Sequence, residues 1–158
     1  MSPEPRAPKP GVVKALKTAA AADDGRAPDG LSRRLVASML EAGYVYRDGI
    51  GGVRIDNKDA LDYDGPGGWR ITDVGRRAVL TDAQWRALTE RVAREGVLLP
   101  NVNWVTKQAL HDLGLVEYRD DSGRIQPTDG STGLRGPIYK AFRTETGRRV
   151  AAAELPAQ

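Results

Sequence analysis

The chain has 158 residues, 40% of them hydrophobic and 28% charged, with a formal net charge of +3 and no cysteine. This composition is typical of a soluble globular protein, and the missing cysteines exclude disulfides and thiolate metal sites. No apolar run approaches the ~20 residues that a membrane helix needs, and the N-terminus lacks the apolar core of a secretory signal, so we expect a cytoplasmic protein.

The first 20 residues carry the whole net charge, because they hold four basic side chains and one acidic side chain, while the remainder is neutral in sum. Residues 1–11 are rich in proline and predict a disordered basic arm, either in contact with phosphate or simply solvated. Apolar residues at helical spacing then predict one helix over residues 12–20 and another from Ser32 to Gly43, where glycine suits a left-handed helix end.

A change to strand periodicity follows in the first half. Residues 44–47 predict a strand, residues 48–52 a glycine-rich hairpin turn, and residues 53–55 the returning strand. A polar loop, 56–68, precedes a short strand at residues 69–71. Thr72 is then a good cap for a closing helix that runs through Leu80.

The second half repeats this order. Residues 81–84 fit a capping box at the start of a helix, residues 97–99 predict one short strand, and a further helix runs from Asn103 to Gly114. A hairpin over residues 115–118 and 124–126, a loop over 128–136 and a strand over 138–143 follow. Thr144 caps the last helix, and residues 154–158 are expected to fray.

The two halves also share sequence motifs. Gly-Tyr-Val at Gly43 and Gly-Leu-Val at Gly114 each precede the hairpin, and Thr-x-x-Gly-Arg-Arg at Thr72 and Thr144 follows it. Gly43 lies 32 residues before the glycine of the second motif, and Gly114 lies 33 residues before its counterpart. Such internal repetition indicates one supersecondary unit used twice. The sequence therefore predicts an α+β fold of two tandem units, residues 12–80 and 81–153.

This order of elements and motifs resembles the winged helix-turn-helix domains of bacterial and phage DNA-binding regulators. The resemblance implies that the helix before the hairpin enters the major groove and that the hairpin, or wing, contacts flanking phosphate. It implies a non-enzymatic regulator or accessory factor that binds double-stranded DNA. Carried across by position, the candidate DNA-binding residues are Ser32, Arg33, Arg34, Arg47, Arg54, Asn103, Thr106, Lys107, Gln108, Arg119, Arg124, Arg135 and Lys140.

Charge leaves a second interpretation open. The first wing carries four acidic residues that would repel phosphate, so the second wing is the better nucleic-acid candidate. The alternative is a winged-helix scaffold that docks on a protein partner without binding DNA, since a fold does not fix a function. The acidic residues in question are Asp56, Asp59, Asp62 and Asp64.

No constellation in the sequence predicts catalysis. His111 is the only histidine, no Gly-x-Ser-x-Gly turn accompanies it, and a solvent-facing or capping role is expected. With one histidine and no cysteine a zinc site is not expected, the acidic loop at Asp62 fails the calcium-loop pattern, and the glycine clusters lack the lysine of a phosphate-binding loop. Neither a metal nor another cofactor is therefore expected. Trp104 is expected to be buried, although an exposed tryptophan there would mark a partner surface.

Overall fold

The computed structural model describes residues 8–130 and 139–154, and over these ranges the protein has a mixed α+β fold. The chain divides after Val79 into two compact units, and the second extends from Leu80 to Ala152. Each unit contains one small antiparallel sheet of three strands. The predicted α+β class is therefore confirmed.

The first unit forms its sheet around a central strand, β1, which pairs antiparallel with β2 on one side and with β3 on the other. A 3-10 turn at Ile50–Gly52 joins β1 to β2. Its elements are α1 (Pro10–Ala21), α2 (Arg33–Glu41), β1 (Val45–Asp48), β2 (Arg54–Ile55), α3 (Asn57–Ala60), β3 (Trp69–Ile71) and α4 (Asp73–Ala78).

The second unit has the same strand order, with β4 central and β5 and β6 antiparallel on either side. Val97, in the short strand that the sequence predicts, pairs with Phe142 only as an isolated bridge. The elements are α5 (Asp82–Thr89), α6 (Trp104–Asp112), β4 (Val116–Arg119), β5 (Ile125–Gln126), β6 (Lys140–Arg143) and α7 (Glu145–Ala152).

Apolar residues at helical and strand spacing form a core in each unit. In the first unit, α1 buries Val12 and Leu16, α2 buries Met39, and β1 buries Val45. The core of the second unit is one cluster drawn from its helices and strands, which includes Leu88, Leu98, Leu110, Leu115, Val116, Tyr118 and Val150. In both units the helix before the hairpin therefore packs on the core with one face only.

Two features of the first unit differ from the sequence prediction. Helix α1 begins at Pro10, inside the segment predicted to be a disordered arm. Proline suits the first helical position because its ring fixes φ and its missing N–H would have no intrahelical partner there. The polar stretch 56–68 also contains the short helix α3, where the sequence predicts only loop.

The same backbone junction closes both units. Gly43 and Gly114 end α2 and α6 with φ of 80° and 73°, a left-handed conformation that favours glycine. The hydroxyl of Thr72 donates to the carbonyl of Gly43 (2.6 Å) and accepts from the N–H of Gly75 (3.0 Å). A single threonine thus caps the closing helix and ties it to the end of the helix before the hairpin.

The second unit repeats these contacts. Thr144 donates to the Gly114 carbonyl (2.8 Å) and accepts from the Gly147 N–H (3.0 Å). The backbone N–H groups of the two threonines bond to the carbonyls of Tyr44 (2.9 Å) and Leu115 (3.0 Å). A Cβ at Gly75 or Gly147 would overlap with these same carbonyl oxygens. Glycine at these two positions therefore lets the closing helix approach the residue that precedes β1 or β4.

We expect Gly75→Ala and Gly147→Ala to lower the free energy of unfolding of their units by about 2 kcal/mol or more. The added methyl group collides with backbone, which cannot move aside as a side chain can. Gly11→Ala in α1 is the control, because its Cβ would meet only a side-chain atom of Leu35, at 3.6 Å. Urea unfolding measures the three variants, and equal effects at Gly11 and Gly147 would contradict the role of the junction.

Candidate nucleic-acid interface

Helices α2 and α6 begin in the same way. The Ser32 hydroxyl accepts from the N–H of Leu35 (3.1 Å), and the Asn103 side-chain oxygen accepts from the N–H of Thr106 (2.8 Å). Neither helix has an acidic residue in its first turn. Each therefore presents the positive end of its helix dipole without a neutralising carboxylate of its own.

Two exposed arginines follow the cap of α2. Arg33 donates to the carbonyl of Leu61 (3.1 Å) and to the carboxylate of Asp62 (2.7 Å), which holds it toward the acidic loop. Arg34 makes no such bond to the described residues and lines a shallow groove with Lys9, Ser38 and Glu41. Of the two, Arg34 is the cation available to an anionic partner.

The first turn of α6 is apolar where that of α2 is cationic. Trp104 is 53% exposed and Val105 is 68% exposed, so the expectation that Trp104 is buried is wrong. Leu110, the fully buried residue of this helix, lies six positions after Trp104 and five positions after Val105. At 100° per residue, Trp104 and Val105 point about 120–140° away from it, toward solvent.

The polar residues on α6 differ in availability. Thr106, Lys107 and Gln108 are half-buried. The Gln108 amide donates to Asp112 (2.9 Å), and its oxygen accepts from the hydroxyl of Tyr118 (3.2 Å). Gln108 therefore links α6 to β4 through its side chain. Its predicted role in contacting DNA bases is corrected to this structural role.

Tyr118 packs against α6. It is fully buried, and its ring stacks on that of His111 with centroids 4.8 Å apart. Burial, with smaller contributions from the charges of Asp129 and Asp112, raises the pKa of Tyr118 to about 12. The phenol therefore stays neutral near pH 7. His111 packs on this ring, which the sequence does not predict.

Arg47, assigned to the first wing as a DNA contact, is instead buried. Its guanidinium donates to the carbonyls of Asp48 (2.7 Å) and Gly65 (2.9 Å) and lies over the ring of Tyr63, 5.1 Å from the centroid. The loop that precedes β3 covers it. A cation committed to two carbonyls in the interior does not reach phosphate, so Arg47 is removed from the interface.

Asp48 is the centre of this buried polar cluster and is only 4% exposed. It accepts from the Arg70 guanidinium (2.5 Å) and from the Gly68 N–H. Burial by itself raises the pKa of Asp48, but these hydrogen bonds and the charges of Arg70 and Arg47 outweigh it and hold the pKa below its ordinary value. The cluster ties β1 to the loop and to β3.

The remaining surface of the first wing carries charged side chains of both signs. Arg54 is exposed and lies over the ring of Tyr46, 4.8 Å from the centroid. The four acidic residues predicted to oppose phosphate are all exposed. Ile50 and Val53, at the hairpin turn, are 73% and 65% exposed. This wing is apolar at its tip and acidic beside it.

The second wing keeps exposed cations. Arg124 follows a tight turn in which Asp120 accepts from the N–H of Ser122 (2.9 Å) and from the N–H of Arg124 (3.0 Å). Lys140 is exposed on β6. Arg119 is paired with Glu117 and lies over the Phe142 ring, so it is less available. Arg135 lies outside the described residues.

Sequence reasoning missed Trp104 and Val105 as surface residues. The available signal was their angular position around the helix, because both residues point away from the side on which Leu110 is buried. Among the described residues, no group of three or more histidine, cysteine, aspartate or glutamate side chains is placed to hold a metal ion.

Comparison with protein-family models, with curated proteins and with solved structures finds no match to this chain. None of the helices within residues 8–130 and 139–154 has both the length and the apolarity that a membrane crossing requires.

We expect Asp48→Asn to lower the free energy of unfolding by about 2–4 kcal/mol at pH 7, because it removes the counter-charge beside the buried Arg47 and the charge-assisted hydrogen bond from the half-buried Arg70. Since the folded-state pKa of Asp48 lies below its unfolded value, its stabilisation is complete above the unfolded pKa and is lost as pH falls through the folded pKa. The difference from wild type should therefore shrink below about pH 4.

Asp64→Asn is the matched control, since Asp64 is exposed in the same loop. Urea unfolding gives the free energy of unfolding of all three proteins between about pH 2.5 and 7, a range that brackets the ordinary pKa of aspartate. A difference in free energy of unfolding between Asp48→Asn and wild type that stays constant across this range would contradict a role for the ionised Asp48 carboxylate.

Proposed function

We propose that this chain binds duplex DNA through two winged-helix units, as a non-enzymatic regulator or accessory factor in the cytoplasm. One observation carries the proposal: both units present to solvent the first turn of the helix before the hairpin, capped by a polar side chain and free of acidic residues. This is the part of the helix that contacts base edges in winged and other helix-turn-helix domains.

Exposed cations near these elements support the proposal. Arg34 lies in the first turn of α2, Arg124 follows the turn of the second wing, and Lys140 lies on the strand that pairs with β4. Arg54 adds a cation on the first wing. Cations on a helix start and on a hairpin suit phosphate contacts, which fix register on the duplex. Arg33, Arg119 and Gln108 contribute less because protein groups hold them.

We expect the affinity for any duplex to fall steeply with salt, with a slope of about −0.9 per phosphate neutralised. The double variant Arg34→Ala/Arg124→Ala should bind about 10-fold or more weakly and should show a salt slope shallower by roughly 2. Fluorescence anisotropy of labelled duplex at four ionic strengths measures both quantities.

Arg148→Ala is the matched control, because Arg148 is an exposed arginine on α7, outside the proposed interface. It should stay within about twofold of wild type, with at most a small change in slope. Flat anisotropy at low salt with protein in the micromolar range would refute DNA binding. An equal loss of duplex affinity in Arg148→Ala would show that the protein attracts DNA by its overall charge, without a defined interface.

The first wing favours a second candidate function, contact with a protein. Ile50 and Val53 are large apolar side chains that are both exposed at the hairpin turn, with Asp56 and Asp59 exposed nearby in the chain. An apolar tip beside carboxylates suits a protein surface with complementary charge better than a phosphate backbone. We propose that this wing docks on such a partner.

We expect Ile50→Ser/Val53→Ser to lose a stoichiometric protein partner that wild type retains in a pull-down from the native host, because the apolar contact is removed. The same variant should keep duplex affinity within about twofold, since neither side chain is cationic. Ile125→Ser, on the second wing, is the control and should retain the partner. Retention by the double variant would refute docking through this wing.

A further inference from the structure

An acidic loop of the first unit occupies one of the cations assigned to DNA. Arg33, the first residue of α2, donates through Nη1 to the carbonyl of Leu61 (3.1 Å) and through Nη2 to the carboxylate of Asp62 (2.7 Å). Both terminal nitrogens of the guanidinium are therefore bonded to two adjacent residues of the loop between α3 and β3. A carboxylate holds the position on Arg33 that a phosphate oxygen would take.

The loop is fixed to the unit on both sides of this contact. Before it, Ala60 at the end of α3 is buried, with 1% of its surface exposed. After it, the carbonyl of Gly65 accepts from the buried guanidinium of Arg47 (2.9 Å). These two anchors keep Asp62 beside α2 without the help of Arg33. The loop can therefore stay in place when Arg33 changes its partner.

The ion pair itself is easily exchanged. The side chains of Arg33 and Asp62 are 66% and 81% exposed, so water competes for both groups. Exposed ion pairs of this kind contribute little free energy. A duplex presents one phosphate charge about every 1.7 Å along its axis, a denser array of negative charge than a single carboxylate. A phosphate is thus able to replace Asp62 on the guanidinium.

We propose that Asp62 competes with the DNA backbone for Arg33, so that the loop restrains duplex binding by the first unit. In the free protein Asp62 neutralises the guanidinium, and duplex binding transfers it to a phosphate. This inference rests on the proposed DNA-binding function and names a regulation of the same interface. Arg34 lies about 100° around α2 from Arg33 and takes no part in the exchange.

Asp62→Asn tests the competition, because it removes the charge and keeps the shape of the side chain. We expect this variant to bind a duplex about 2–5-fold more tightly than wild type, the range that corresponds to one exposed ion pair. Asp64→Asn is the matched control, because Asp64 is exposed two residues further along the same loop. It removes the same charge and should raise the affinity clearly less. Fluorescence anisotropy of one labelled duplex at fixed salt measures both variants.

Arg33→Ala decides whether the gain acts through this arginine. In the Arg33→Ala background, Asp62→Asn should raise the duplex affinity no more than Asp64→Asn does, because the contested cation is gone. Arg33→Ala should also weaken binding more in Asp62→Asn than in wild type, by the same factor. Since all three side chains are exposed, the variants are expected to melt close to wild type.

The outcomes separate this inference from the function on which it rests. Equal gains in Asp62→Asn and Asp64→Asn assign the effect to general charge repulsion and overturn the competition, while DNA binding stands. A gain from Asp62→Asn that persists in full without Arg33 overturns it as well. Weaker binding by Asp62→Asn would mean that the carboxylate holds Arg33 in a productive position, which also overturns it. Absence of duplex binding by wild type and by every variant overturns both the inference and the proposed function.

Discussion

The close contact between a backbone carbonyl and a glycine holds each unit of this protein together. The carbonyls of Tyr44 and Leu115 accept from the threonine that starts the closing helix, and they also lie against Gly75 and Gly147, where a Cβ has no space. The threonine hydroxyls reach back to the end of the preceding helix. Three elements therefore meet at one point, and the C-terminal end of α2 or α6 is fixed there. The N-terminal end of each helix is left at the surface.

Around this shared junction, the two units are stabilised by different chemistry. At the position where β1 of the first unit has the buried pair Arg47 and Asp48, β4 of the second has Tyr118 and Arg119. The first sheet is joined to its covering loop by charge-assisted hydrogen bonds, and the second is joined to α6 by an aromatic stack and a phenol hydrogen bond. A buried carboxylate makes the stability of the first unit depend on acid pH, whereas Tyr118 stays neutral until strongly alkaline pH.

The exposed surfaces have diverged in the same way. The helix start of the first unit is cationic and that of the second is apolar, while each wing carries both an exposed cation and exposed apolar residues, with the acidic residues beside the first wing. Phosphate contacts position a protein on DNA, while contacts in the groove carry sequence information. Under the proposed function, the duplicated scaffold thus gives two unlike reading surfaces, and the bound site is not expected to be a simple repeat.

The sequence by itself determined the features that depend on neighbours within a few residues. The helix caps at Thr72, Thr81 and Thr144, the left-handed ends at Gly43 and Gly114, and the α+β composition of both halves follow from local hydrogen bonding and periodicity. Only the tertiary structure decided which polar and apolar side chains reach solvent. Arg47 is buried because a loop 18 residues later supplies its carbonyl partner. Trp104 is exposed because none of the elements that the structure describes packs over the first turn of α6. Burial depends on what lies across from a residue in space, and a one-dimensional pattern records only what lies beside it in the chain.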